Sequence, residues 1–275
     1  MTMRRRLASL AVNVALALIA LVTLFPLAWM VSASFMAPGE ASTYPPPVLP
    51  HAATLANYRL LFAEHGILRQ VANSLFISLL ATGLSLAFNL TAGYAFAKLR
   101  FAGRERVFRV LLGALIIPAQ VTMMPLFLML RGMGLVNTYA GALVPWLASV
   151  FGIFMVRQYA LTVPDEMLEA ARIDGASELR IFVSVVLPVL KPIIVTLAVL
   201  TFLGAWNDFM WPLIVLTDHD VQTLPVALAA LSREHVQDAE LMMAGAVITV
   251  LPVLLLFLAL QRYYVRGLLV GSVKG

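Results

Sequence analysis

Six long apolar runs, each about 20 residues or more, decide what this chain can fold into. They lie at about Leu7 to Phe35, Val71 to Ala97, Val107 to Leu130, Tyr139 to Leu161, Pro188 to Leu216 and Leu241 to Gln261. Each is long enough, as a helix, to cross the roughly 30 Å of hydrocarbon in a bilayer. Hydrophobic residues make up 61% of the chain and charged ones 12%, with a mean hydropathy of +0.93. That is too apolar for a soluble domain, so the bilayer is the solvent to reason about. The expectation is an all-α, polytopic membrane protein with six transmembrane helices.

Charge sets the orientation. With the amino terminus inside, fifteen of the 19 lysines and arginines fall on the cytoplasmic side, and only Arg59, Arg69, Arg131 and Arg233 fall outside. Both termini are therefore expected in the cytoplasm. The net charge of +5 is topological, because the basic residues sit at the ends of apolar runs and are not interleaved with exposed aromatics. Membrane lipid is an expected partner and nucleic acid is not. The absence of cysteine excludes disulfides, thiolate catalysis and Cys-ligated metal. Arg4 to Arg6, an apolar run and Val31-Ser32-Ala33 have the outline of a signal peptide, but the run exceeds a signal core and reads as an uncleaved helix. The expected division is a first helix and external loop over 1–68, a transmembrane domain over 69–262 and a cytoplasmic tail over 263–275. Within the first part, Pro38 to Gly66 is the longest irregular stretch.

Between the fourth and fifth runs lies a charged, helix-competent insert, Glu169 to Pro192, reading EAARIDGASELRIFVSVVLPVLKP. Pro164, Asp165 and Glu166 suit a first helical turn, where a missing amide donor is harmless and negative charge meets the positive dipole end. Ala170 and Ala171 favour helix and leave a shallow surface. Gly175 sits where the chain adopts positive φ cheaply, which makes it a stop and a turn. Ser177 can cap a second helix in which Leu179, Phe182 and Val186 recur at helical spacing. Pro188 and Pro192 then disturb the start of the next span. The result is a helix–Gly–helix elbow small enough for another protein to receive in a groove.

This string resembles the EAA loop of type I ABC importer permeases, whose pattern runs EAA, three residues, G, then a later I/V-x-LP. Glu169, Ala170, Ala171, Gly175, Leu187 and Pro188 match it, with Asp174 and Ala176 around the glycine. A second string, Trp206-Asn207-Asp208-Phe209-Met210-Trp211-Pro212, resembles the fifth span of carbohydrate-type importer permeases, and with the closing Gln261 to Leu268 it narrows the resemblance to the carbohydrate-uptake branch. Glycerol-phosphate importer permeases share these strings. The resemblance implies a pore of two permease chains, this one and a different but related partner. It also implies two cytoplasmic ATPases that carry ATP and Mg and hold the elbows at Glu169 to Ala176. An external binding protein would deliver the solute. The chain itself would bind no cofactor and hold no metal. ATP-driven closure of the ATPases would switch the pore between inward- and outward-facing states.

Within the spans the notable ionisable residue is Asp208. A carboxylate there costs about 2.5–3.5 kcal/mol on insertion scales and normally faces a bundle interior or a watery cavity. Trp206 and Asn207 beside it can stack on and hydrogen-bond a sugar, and Pro212 can open the helix. Both a pathway or gate role and a purely structural bond are open for this group. Asn73, Asn89, Thr91, Gln120, Asn137 and Thr138 can line a pathway or join helices. The four histidines lack metal spacing, no phosphate-binding GxxxxGK[ST] loop occurs, and no nucleophile and base pair up. These absences point to a conduit that borrows its energy and away from an enzyme. The rival reading is a secondary transporter with Asp208 as its proton carrier, which leaves the elbow unexplained.

Overall fold

The computed structural model describes residues 3–234 and 238–272, and their side chains over 9–232 and 238–259. Every regular element among the described residues is helical. The helices are α1 (Met3–Ala33), α2 (Ala56–Arg59), α3 (Leu68–Lys98), α4 (Arg104–Ala114), α5 (Ala119–Gly132), α6 (Tyr139–Leu143) and α7 (Val150–Ala160). They continue as α8 (Asp165–Ile173), α9 (Glu178–Ile181), α10 (Leu187–Val189), α11 (Lys191–Trp206), α12 (Met210–Val215), α13 (Leu224–Glu234) and α14 (Ala239–Ser272). A π-helical stretch, Phe182–Val186, joins α9 to α10 without interruption. The chain is an all-α polytopic membrane protein.

Three segments are straight, apolar and long enough to cross a membrane: Ser9–Ala33, Leu68–Lys98 and Ala239–Ala259. Three further segments meet the same test only as bent pairs. Arg104–Ala114 and Ala119–Gly132 are bent by 102°, Tyr139–Trp146 and Val150–Ala160 by 45°, and Glu178–Val189 and Lys191–Trp206 by 81°. The expectation of continuous helices over these three runs is thereby corrected, and proline is the physical reason. Pro118 holds the extended conformation that starts α5, with ψ 136°, and α4 closes before it in i→i−3 bonds at Leu115, Ile116 and Ile117. Pro145 sits in a 3-10 turn, Val144–Trp146, before Ser149 caps α7 by accepting the Gly152 amide at 3.2 Å. Pro192 occupies the first turn of α11, where its missing donor does no harm.

Two compact units are present. One joins residues 1–68 to 227–252, and the other joins 69–226 to 253–275. In the first, the segment expected to be irregular is held by specific bonds. The Trp29 indole donates to the Pro47 carbonyl at 3.0 Å, and the Asn57 amide donates to the carbonyls of Ser34 and Met36 at 3.0 and 2.9 Å. Residues Ala56–Glu64 there are helical, the last five in π geometry. Glu240 is buried, and its Oε1 accepts the Ala41 amide at 2.6 Å.

The second unit packs α3 tightly against α7. A Cβ at Gly93 would lie 2.5 Å from the Val156 side chain, so glycine permits the close approach. Tyr94, Ala97, Val156, Ala160, Val163, Leu168, Ile181, Phe182 and Val186 form one buried cluster. Arg157 closes one end of this pairing. Its guanidinium donates to the Phe96 carbonyl at 3.2 Å, pairs with Glu105 at 3.0 Å and lies 4.1 Å from the centre of the Phe108 ring.

Candidate coupling elbow and solute pathway

The segment 164–189 turns because its sequence closes one helix and opens another within four residues. Asp165 and Glu166 stand in the first turn of α8 and Arg172 in its last, the arrangement the helix dipole favours. The helix stops in a Schellman motif. The Ala176 amide donates to the Ala171 carbonyl and the Gly175 amide to the Arg172 carbonyl, both at 3.0 Å. This places Gly175 at φ +80°, a conformation that costs a side-chain-bearing residue about 1–2 kcal/mol. Ser177 Oγ then accepts the Arg180 amide at 3.4 Å and caps α9.

The elbow has an inner and an outer face. Leu168 and Ile181 are buried, with Ala171 and Ala176 packed beside them in the same cluster. Glu169, Ala170, Asp174 and Gly175 are exposed. Ile173 and Leu179 are apolar yet 86% and 72% exposed. A Cβ at Gly175 would meet nothing of this chain within 4 Å.

Two polar ties fasten the elbow to α3. Lys98 Nζ donates to Asp165 Oδ1 and to the Val163 carbonyl, each at 2.6 Å. The Lys98 hydrogen bond, more than its charge, holds the exposed Asp165 carboxyl below the usual range. Glu178 receives the Tyr94 hydroxyl at 3.1 Å and the Arg172 guanidinium at 2.7 Å, and Tyr94 packs on Phe182 with ring centres 5.1 Å apart. Sequence reasoning missed Tyr94, Lys98 and Glu178. They lie 84 and 67 positions from their partners, and no local pattern signals such a pair.

Around Asp208 the structure differs from a carboxylate buried within a helix. The helix α11 ends at Trp206, and α12 begins at Met210. Pro212 explains the gap, since it cannot donate to the carbonyl four residues back, that of Asp208, and its ring would collide with it. Asn207 closes α11 by donating its side-chain amide to the Leu203 carbonyl at 2.9 Å, and Asp208 Oδ1 accepts the Trp211 amide at 3.4 Å. Trp146 stands beside Asp208, close enough to act on its carboxylate. Asn207 is exposed and Asp208 half-buried, whereas Trp206 is 1% exposed and stacked on Phe202 at 6.1 Å. Trp206 is thus a packing residue in this structure.

Next to this break a cavity of about 390 Å³ is lined by Ser85, Asn89, Pro145, Trp146, Ser149, Phe151, Gly152, Leu197, Leu200 and Thr201. Asn89 bonds the Ser149 amide and the Ser85 hydroxyl, both at 2.9 Å, so it joins helices and lines space at once. Trp146 bridges the cavity and the break, and Gly204 leaves room for its ring: a Cβ there would lie 2.8 Å from it. The sequence signal for Trp146 is the adjacent Pro145, an interruption inside an apolar run. Gln120 and Thr91 are exposed and line no described cavity, while Asn73 and Asn137 brace the loop 217–222. The string Gln261 to Leu268 and the rest of the tail have no described side chains, and α14 runs to Ser272.

Residues 89–270 match the family described as binding-protein-dependent transport system inner membrane component. The chain belongs to that family. An arabinooligosaccharides transport system permease protein of Halalkalibacterium halodurans is 38% identical to this inner membrane component, over 96% of this chain and 95% of the relative. A lactose transport system permease protein of Rhizobium radiobacter is 35% identical over 99% of both chains. A bacterial ABC transporter involved in the import of the acidic polysaccharide alginate has a solved chain that superposes with a TM-score of 0.83. That match covers 96% of this component and 99% of the other chain at 24% identity, a likeness of fold. Membership makes this component a transport subunit and not an enzyme.

Proposed function

We propose that this chain is the permease subunit of an ATP-driven importer that moves a sugar into a prokaryotic cell, with the elbow at 164–189 as its ATPase coupling element. The observation that carries the proposal is the two-faced elbow. Its inner face is tied to α3 by Lys98–Asp165 and Tyr94–Glu178, while its outer face presents Glu169, Ile173, Asp174 and Leu179, all exposed among the described residues. Such a unit moves as one piece when a partner displaces it. Two ATPase subunits carrying ATP and Mg fit that role. A related second permease would complete the pore, and an external binding protein would supply the solute. The sugar reading draws on the names of the relatives and on a cavity that pairs an indole with hydroxyl and amide groups.

The same reading joins each bent pair into one crossing, giving six spans, with both termini and the elbow in the cytoplasm. Ser42 and Ser177 are both exposed and fall on opposite sides of that path. In intact cells an impermeant thiol reagent should label Ser42→Cys, and should label Ser177→Cys only after lysis. Labelling of position 177 from outside would overturn the orientation. Function is tested by reconstituting the whole complex in vesicles and measuring ATP-dependent uptake of arabino-oligosaccharides and lactose against glycerol phosphate and amino acids. Uptake driven by a proton gradient without ATP would instead favour a secondary transporter.

A further inference from the structure

Residues 98–109 hold five basic side chains against one acid, Glu105. Glu105 is already engaged by Arg157 at 3.0 Å and Arg104 at 3.4 Å, and Lys98 is engaged by Asp165. Arg100, Arg106 and Arg109 have no carboxylate within ion-pair distance among the described residues. With Phe101, Gly103, Arg104 and the already engaged Glu105 they line a concavity of about 750 Å³. Positive charge at the end of a span is expected from topology alone. Three uncompensated guanidiniums converging on one recess are more than topology requires, because mutual repulsion disfavours that arrangement unless an anion joins it.

With α3 as a membrane span, the recess at its end falls in the headgroup region. The helix α3 has 31 residues, about 46 Å of helix, which exceeds the roughly 30 Å hydrocarbon layer and carries its end into the headgroup region. The next helix, α4, turns 102° away from α5. It begins at the recess and exposes Val107 and Val110, with Phe101 exposed just before it. Guanidiniums beside exposed apolar side chains match a phosphodiester joined to acyl chains.

We propose that the recess formed by Arg100, Arg106 and Arg109 binds the phosphate of an anionic phospholipid, with the acyl chains against Val107, Val110 and Phe101. Fork-shaped guanidinium donors suit phosphate oxygens, and a zwitterionic lipid would bring a competing cation. The inference does not depend on the coupling role of the elbow or on the direction of the chain.

The test uses the whole transporter complex in nanodiscs of phosphatidylcholine with or without phosphatidylglycerol, followed by lipid counting in native mass spectrometry. The wild type should retain phosphatidylglycerol over phosphatidylcholine. The triple substitution Arg100→Gln, Arg106→Gln, Arg109→Gln should lower phosphatidylglycerol retention several-fold and leave phosphatidylcholine retention unchanged. Arg131→Gln, outside the recess, should change neither. The corresponding triple Lys variant controls for folding and should retain part of the preference. Equal phosphatidylglycerol retention in the wild type and the Gln variant would overturn the proposal. So would full displacement of the lipid by millimolar inorganic phosphate, which would make the recess a site for free phosphate.

Discussion

The elbow around Gly175 and the break around Asp208 are both short interruptions between two helices, yet they are closed by opposite means. At the elbow the backbone closes the turn on itself through the Ala176 and Gly175 amides, and the side chains are left for ties to α3 and for the outer face. At the break, Pro212 forbids backbone closure, so the side chains of Asn207 and Asp208 serve as caps, with Trp146 beside the carboxylate. The first arrangement is rigid and presents a surface. The second spends its polar groups on holding itself together, beside a cavity where a solute hydroxyl could compete for the same partners. A transporter needs both: an element that moves without deforming and one that changes partners.

The largest effects are expected at the elbow. Gly175→Leu should abolish uptake, since it adds left-handed strain of about 1–2 kcal/mol and a bulky side chain on the outer face. Gly175→Ala shares the strain but adds little bulk, and should retain partial uptake. Equal loss in both would mean that strain decides and that the outer face is not a docking surface. Glu169→Lys should abolish uptake by repelling the ATPases while leaving the fold unchanged, which co-purification of the ATPases with the variant would register.

Next in size are the ties. Tyr94→Phe and Glu178→Gln should lower uptake several-fold while the ATPases stay bound, because the elbow would then move without carrying α3. Unchanged uptake in both variants would remove α3 from the transmission. At the break, Asp208→Leu should reduce uptake with assembly intact, and a loss that tracks assembly instead would leave Asp208 only a cap. Gly204→Ala should displace the Trp146 ring and shift the apparent affinity for solute more than the maximal rate.

The smallest effect concerns pH. Asp165 is held below the usual carboxylate range by Lys98, so the tie contributes fully above the unfolded value of about 4 and is lost as pH falls through the lowered one. Amide protection in α8, taken relative to the intrinsic exchange rate at each pH, should therefore be flat from neutral to mildly acidic pH and fall only below about pH 4. A loss of protection near pH 6 would mean that another group controls the elbow.

Much of this was legible in the chain, and the reasons are local. Gly175, Ser177 and the acids of α8 act within a few residues of themselves, so the turn could be read from composition and spacing. Three of the apolar runs hold unbroken helices long enough to cross a membrane, legible because hydrocarbon tolerates few charges. The bends were harder to read. Pro118, Pro145, Pro192 and Pro212 are visible, but a proline in an apolar run either starts, kinks or breaks a helix according to what packs around it. Trp206 and Trp146 show the same limit. Both are tryptophans near interruptions; Trp206 stacks on Phe202 one turn back in its own helix, but only tertiary packing leaves it 1% exposed and sets Trp146 against the cavity and beside Asp208.

The central claim is that the elbow transmits and the break responds. It is tested most directly by the ratio of solute imported to ATP hydrolysed, measured in vesicles holding the complete complex. Gly175→Leu should drive that ratio to background, with hydrolysis either lost or no longer followed by uptake. Asp208→Leu should lower uptake and binding-protein-stimulated hydrolysis together, leaving the ratio close to the wild type. A wild-type ratio and a wild-type rate for Gly175→Leu would contradict the account.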